Sequence, residues 1–415
     1  MVGSLQRRCK SSNADFSTYL SEDITFDIFL LLPLKSIFKY RCVSRQWLSL
    51  LSNPSLLTKK FNSLTTSPWV FHYNSNCQER KLYSAESISP DLNSQFILEH
   101  DGFSFSFLLS KQGPLKNARV YGLASSNGLV LCSASKVYQT RYYVCNPLTK
   151  EWNSLPPPQK NIDRRWLLHG FICEPSSSPM TPTSYKVVCI PQYKDDPWNK
   201  FDVEIFSSDL GEWTTYQVSC PGDVTWDYYP LRSNLVIHNG VLYWVEGSNR
   251  ILAYDLTDDN KGNGGHRCWL IDLPEKKRYD RNNGCLGELE GFISYSRSGL
   301  EELSVWVLEE DHFSSTGSWV WRLVHNITIH DMISVENCHD WFITELVSVN
   351  SYTLEPIAFN PVDQNILIVR CPSSTITFGY NIRTRLLKLL ISYRKSLATY
   401  AALSPFVIAP WPTTL

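Results

Sequence analysis

The chain has 415 residues, enough for two or three domains at about 150 residues each, and its 39 Lys and Arg against 40 Asp and Glu leave a formal net charge of -1. That balance argues against a protein whose main work is to grip nucleic acid or an anionic membrane. Aromatic residues make up 13% of the chain, with 14 Trp and 21 Tyr, which supplies a large core and excludes long-range disorder.

The texture changes near residue 62. Residues 1–62 carry 9 Lys and Arg against 4 Asp and Glu, whereas the remainder carries 30 against 36. Residues 1–17 read as a flexible N-terminus. Ser21 before the acidic pair Glu22-Asp23 suits an N-cap and first helical turn. Ile24, Ile28, Leu31 and Leu32 then recur at steps of three and four, which marks one helix face, and Pro33 stops the helix. A second stretch runs from Leu34 through Ile37, Phe38 and Tyr40 to Val43. After Ser44 a third carries Trp47, Leu48 and Leu51 and ends at Asn53-Pro54. Three short helices bury too little surface to stand comfortably alone, so their excess apolar surface calls for a partner.

Taken together, LSEDITFDIFLLLPLKSIFKYRCVSRQWLSLLSNPSL, Leu20 to Leu56, resembles an F-box. Leu20, Asp23, Ile24, Ile28, Leu32, Pro33, Lys35, Ser36, Ile37, Arg41, Val43, Trp47 and Leu51 fall where that motif wants them. The departures are Ser21 for the usual Pro, Thr25 for an aliphatic residue, Leu31 for a common Arg and Ser44 for a common Cys. Ser21 keeps capping ability, and Thr25 loosens one contact. The resemblance implies docking on an acidic Skp-family adaptor, and through it on cullin and RING subunits. The adaptor-binding residues it implies are Leu20, Ile24, Ile28, Leu32, Pro33, Leu34, Lys35, Ile37, Arg41, Val43 and Trp47. Lys35 and Arg41 would tune the association rate more than the affinity. The alternative is an unrelated helical cap packed on the downstream domain.

Beyond Pro68, short alternating strands and turns repeat loosely. Five units are read, at Ser126–Pro156, Tyr185–Val218, His238–Pro274, Leu289–Ile327 and Pro356–Leu390. A less regular one precedes them, with strands at Trp69–Tyr73, Lys81–Ser84 and Phe103–Leu109, and Ser404–Ala409 returns to complete it. Sheets of this size cannot bury both faces alone, and radial stacking around an axis solves that problem. The expected fold is therefore a small all-α three-helix F-box, residues 18–62, followed by a large all-β domain, residues 63–415. That domain is expected to be a β-propeller of about six irregular blades, with an irregular β-sandwich as the alternative. The phrase YYVCNPLTKEWNSLPPP, Tyr142 to Pro158, resembles the F-box-associated domain of plant-type F-box proteins. Such domains are degenerate, kelch-like propellers, and the resemblance implies that this one holds a target protein. Regular kelch repeats are not present, since only Gly264-Gly265 is doubled.

No strong catalytic motif appears: G-x-S-x-G, the phosphate-binding GxxxxGK[ST] and HExxH are all missing. The acidic groups Asp195-Asp196, Asp258-Asp259 and Glu309-Glu310-Asp311 lack the alternation of a Ca²⁺ loop. His325 and His330, with Asp331, come closest together in sequence, but five residues apart on a strand puts the two His on opposite faces, away from a shared metal. The closest Cys residues, Cys132 and Cys145, are thirteen apart, which offers no CxxC pair for zinc or redox work. Lys276-Lys277-Arg278 with Arg281 reads as a solvated loop. Trp152, Trp213, Trp269 and Trp321 recur at matching positions and read as blade core, which leaves Trp198 and Trp226, in polar loop text, as candidate target contacts. No apolar run reaches the roughly 20 residues of a membrane span, and MVGSLQRRCKSSNADFS has no apolar core for a secretory signal. The expectation is a non-catalytic protein without cofactor or metal, binding neither nucleic acid nor membrane and working in the cytoplasm and/or nucleus. Its role would be substrate receptor of an SCF-type ubiquitin ligase. The alternatives are an adaptor-bound scaffold or inhibitor outside ubiquitination, and a propeller ligand sensor or enzyme with a helical cap.

Overall fold

A computed structural model describes residues 21–32, 36–37, 40–51, 53 and 56 near the N-terminus and 69–74, 84–85, 103–104, 106–110 and 113–114 further on. Between residues 120 and 407 it describes the strands with their tight turns. The chain divides into two compact units, Met1–Thr65 and Thr66–Leu415.

The first unit carries two described helices, α1 (Glu22–Leu31) and α2 (Arg45–Leu51). Ser21 caps α1: its hydroxyl accepts from the Ile24 amide at 3.3 Å, and its carbonyl accepts from the Thr25 amide at 3.0 Å. At the other end Leu32 is extended, with ψ 146°, the conformation that a following proline imposes. Ser44 caps α2 by accepting from the Trp47 amide at 3.1 Å. Each cap satisfies a helix-terminal amide and is worth about 1 kcal/mol.

The second unit is built mainly from four-stranded antiparallel sheets in which each strand pairs with the next in sequence. Blade 1 comprises β4 (Tyr121–Ser126), β5 (Leu129–Ser133), β6 (Tyr142–Asn146) and β7 (Glu151–Ser154). Blade 2 comprises β8 (Leu167–Cys173), β9 (Tyr185–Pro191), β10 (Trp198–Ser207) and β11 (Glu212–Val224). Blade 3 comprises β12 (Leu235–His238), β13 (Val241–Glu246), β14 (Arg250–Asp255) and β15 (Arg267–Asp272). Blade 4 comprises β16 (Gly284–Leu289), β17 (Phe292–Ser298), β18 (Glu302–Glu310) and β19 (Trp319–Thr328). Blade 5 comprises β20 (Glu355–Phe359), β21 (Ile366–Arg370), β22 (Ile376–Asn381) and β23 (Leu387–Ser392).

The domain is thus a propeller of five four-stranded blades, where the sequence pointed to about six. The remaining strands form two small sheets instead of a further full blade. β1 (Trp69–Asn74) pairs with β24 (Ala402–Val407), and β2 (Ser84–Ala85) pairs with β3 (Phe103–Ser104). His72 stands opposite Ser404, so the C-terminal segment does return to the first strand of the domain. β24 lies beside both β4 and β20. Ser106–Leu109, read from sequence as strand, is a short helix, α3. His330 and Asp331 likewise belong to a helix, α4 (Ile329–Ser334).

Two turn types set the strand registers. In blades 1, 3 and 4 the first hairpin closes through Asn127-Gly128, Asn239-Gly240 and Glu290-Gly291, whose φ values are all positive, from 44° to 83°. This is the two-residue turn whose twist matches that of the flanking strands. In blades 1, 2 and 5 the last hairpin turns through four residues, with Lys150, Gly211 and Arg385 donating to the carbonyls of Asn146, Ser207 and Asn381, each at 2.8 Å.

The core lies between blades. Leu131, Val144, Phe171 and Val187 fill the space between blades 1 and 2, and Val203, Val218, Trp244 and Leu252 that between blades 2 and 3. Ile251, Ile271, Tyr295 and Trp306 join blades 3 and 4, and Val305, Ile327, Leu367 and Phe378 join blades 4 and 5. Trp213 and Trp321, both on outer strands, add a polar staple across a blade boundary. Their indole N–H groups donate to the Pro156 carbonyl at 2.8 Å and the Asp272 carbonyl at 2.7 Å. Replacing Trp213 by Phe removes the bond and part of the packing while keeping an aromatic ring. The expected loss is about 1–3 kcal/mol of unfolding free energy, measured by denaturant titration.

Candidate functional site

The N-terminal unit has two apolar faces. Phe29, Ile37, Leu51 and Leu56 are buried. Trp47 is half-buried between Phe29 and Tyr40, with ring centroids 5.1 and 5.9 Å away, both edge to face. These contacts hold α2 against α1. On the other side of α1, Ile24, Ile28 and Leu31 repeat at four and three residues and stay 50%, 43% and 82% exposed. Val43 and Leu48 are exposed as well. Large aliphatics left in water by a well-capped helix mark a contact surface rather than a folding core.

Of the adaptor contacts read from sequence, Ile24, Ile28 and Val43 are exposed, Leu32, Arg41 and Trp47 are half-buried, and Ile37 is fully buried. Ile37 therefore fills a core position. Leu20, Pro33, Leu34 and Lys35 lie outside the described residues. Leu31 and Leu48, not named among the adaptor contacts from sequence, are exposed as well. The signal for Leu31 was its place three residues after Ile28 on the same helical stripe.

In the β domain, Trp198 is the first residue of β10 and stands opposite Val224, so it opens a strand and does not sit in a loop. Its strand begins at the end of blade 2 where the second strand stops. Trp226 lies outside the described residues. Trp152, Trp213, Trp269 and Trp321 all occupy the fourth strand of their blades.

Polar side chains inside the domain join neighbouring blades. The Tyr142 hydroxyl and His169 Nε2 share a hydrogen bond of 3.2 Å between blades 1 and 2. His325 Nε2 and the Tyr380 hydroxyl share one of 2.9 Å between blades 4 and 5. The Arg370 guanidinium reaches Glu355 at 2.6 Å within blade 5. Cys132 and Cys145, thirteen residues apart, bring their sulfurs to 3.8 Å on adjacent strands, and burial pushes the Cys145 thiol well up. Both remain free thiols. Among the described residues no cluster of three or more His, Cys, Asp or Glu is placed to hold a metal. No described helix is long and apolar enough to cross a membrane.

His325 gives the domain a pH dependence. Burial, and then the nearby Arg385 charge, hold its pKa below the ordinary 6.5. The folded protein thus prefers the neutral ring, and the unfolded chain binds the proton more readily. Stability from this group is complete above the ordinary histidine range and is lost as pH falls through the lowered folded value. The melting temperature should fall between pH 7 and pH 5. It should fall less in His325→Gln, which keeps a partner for Tyr380 but does not titrate.

The first unit is thus capped and helical with an outward aliphatic stripe, and the second is a β domain built blade by blade. The F-box domain model matches residues 18–59. The model described as F-box protein At3g26010-like, beta-propeller matches residues 102–404, which is more than half of the chain, and the chain belongs to that family. It is similar to the Arabidopsis thaliana F-box protein At5g03970, at 26% identity over 94% of this chain and 88% of that protein. It is similar to the A. thaliana F-box protein At5g49610 at 26% over 74% and 79%. With the A. thaliana F-box protein At3g26010 it shares 23% over 88% and 78%.

Proposed function

We propose that the chain is the substrate-recognition subunit of an SCF-type ubiquitin ligase. The observation that carries this reading is the exposed stripe Ile24, Ile28 and Leu31 on an F-box helix whose opposite face is already packed. The stripe docks on a Skp-family adaptor, and the adaptor brings cullin and RING subunits. Each aliphatic buried there contributes roughly 1.5–3 kcal/mol before association costs are met. The propeller holds a target protein, and the chain itself makes and breaks no bond. It raises the effective concentration of target lysines near a ubiquitin-charged enzyme. The expected setting is the cytoplasm and/or nucleus. On the same reading, the β1–β24 and β2–β3 sheets form an incomplete sixth blade that closes the ring.

The test is co-purification with a Skp-family adaptor, a cullin and a RING subunit, run beside Ile28→Asp/Leu31→Asp. Both side chains are exposed, so the variant keeps its fold. The wild type should bring down all three subunits and the variant none. A wild type that is folded and binds no adaptor sinks the proposal. One that binds the adaptor and excludes the cullin is a scaffold outside ubiquitination.

A further inference from the structure

Blades 2 and 3 meet through their outer strands as well as through the apolar core between them. β11 runs beside β15, and a bulge in β11 brings it there. Lys200 stands opposite Ser219 and Trp198 opposite Val224, so between these pairs one residue of β10 faces four of β11. The extra residues leave the ladder, and Gly222 comes to lie against the Leu270 side chain of β15. Cys220 opens this bulge. It is hydrogen-bonded to Cys268 on β15, whose sulfur also donates to the Ser219 carbonyl at 3.7 Å. Both thiols belong to the cluster packed between the two blades, and neither is in a disulfide.

A disulfide tolerates only a narrow range of distances and dihedral angles, so two thiols in contact must still move to form one. Cys220 sits outside the paired ladder, in backbone that can make that shift. Cys132 and Cys145 provide the contrast. Each is held in the β5–β6 ladder, opposite Tyr143 and Val130, and both are 0% exposed. Cys220 and Cys268 are 6% exposed and are flanked by exposed Ser219, Pro221 and Arg267, so a small oxidant meets only a thin cover. The hydrogen bond with Cys220, and then burial, raise the Cys268 thiol above its ordinary pKa. The thiolate is the reactive form, so the pair rests protonated and reduced and responds to sustained oxidation.

We propose that Cys220 and Cys268 form a redox latch, which a peroxide closes into a disulfide tying the outer strands of blades 2 and 3. One sulfur attacks a peroxide oxygen, the O–O bond breaks, and a sulfenic acid and one water result. The second sulfur then attacks the first, the S–O bond breaks, and a second water leaves. Two thiols thus give up two electrons and two protons, and one hydrogen peroxide becomes two waters. The bridge closes the chain from residue 220 to residue 268 into a loop, which restricts the unfolded state and stabilises the folded one. The latch lies wholly in the β domain, so it can fail while adaptor docking holds, and the reverse.

The experiment treats the folded full-length chain with hydrogen peroxide, blocks the remaining thiols, and maps linked peptides by mass spectrometry without reduction. The expected product joins Cys220 to Cys268 and is separated by dithiothreitol. The melting temperature should rise by about 3 °C or more on oxidation. Cys220→Ser and Cys268→Ala should each lose that rise. The mapping uses the wild type alone, so it decides even where a variant folds poorly. Three results overturn the proposal: both thiols still open to blocking, oxidation to sulfinic acid without a link, or a link that forms only in denaturant. A Cys132–Cys145 link that forms as fast overturns it too, because the bulge then confers no selectivity. So does a Cys220–Cys268 link that leaves the melting temperature unchanged or lower.

Discussion

A chain ending at residue 401 should lose the cooperative unfolding of its β domain or unfold far more easily. The deletion removes β24, which pairs with β1 over the full register from Trp69 opposite Val407 to Asn74 opposite Ala402. It also removes the strand that lies beside both β4 and β20, the first strands of blades 1 and 5. Each ladder hydrogen bond contributes about 0.5–1.5 kcal/mol net. Losing the ladder and the packing around it therefore costs at least several kcal/mol, a large part of a typical domain's stability. The newly unpaired edge of β1 also becomes a template for aggregation. Calorimetry of the truncated and intact chains checks this, and a peptide of residues 402–415 added in trans should restore part of the loss. An unchanged transition would show that the ring closes without its last strand.

Gly287→Ala should also destabilise the β domain, by a change of one methyl group. Gly287 lies in β16, and a Cβ built there runs into the ring of Phe359 on β20, the first strand of the next blade. The ring has little room to yield, because Phe359 is 5% exposed and packed with Leu289, Leu367 and Val369. In an open strand, alanine would gain up to about 1 kcal/mol over glycine. Here overpacking wins, with an expected loss of about 1–3 kcal/mol or more in unfolding free energy. Gly287→Ala/Phe359→Leu should be less destabilised than the two single changes together, since the smaller side chain vacates the space. Denaturant titration of the four proteins measures that coupling, and strict additivity would rule out the steric cause.

Much of this was legible in the sequence where local chemistry acts alone. Ser21 and Ser44 stand at helix starts because their hydroxyls satisfy the first free amides. Asn127-Gly128 and Asn239-Gly240 announce hairpins because both residues of such a turn need positive φ. What the sequence hid depends on neighbours. The first two units were read from Ser126 and Tyr185, which omits nearly all of β4 and the whole of β8. YGLASS shows no alternation, and LLHGFIC is apolar on both sides because it is packed on both faces, so neither follows the half-buried pattern. The F-box segment posed the same difficulty. Ile37 and Ile28 are equally aliphatic and equally periodic, yet one is buried and the other exposed. A small helical unit that both folds and docks through apolar side chains carries two such faces, and composition does not distinguish them.

If the stripe on α1 is the docking surface, the dissociation constant for a Skp-family adaptor reports it most directly. Titration calorimetry of the purified wild type should give tight binding with a negative heat-capacity change, the mark of apolar burial. Ile28→Asp/Leu31→Asp should weaken binding by about a hundredfold or more, since two buried aliphatics are each worth roughly 1.5–3 kcal/mol, while its melting temperature stays put. Equal affinity in wild type and variant would contradict the account, because the adaptor would then be held by some other surface.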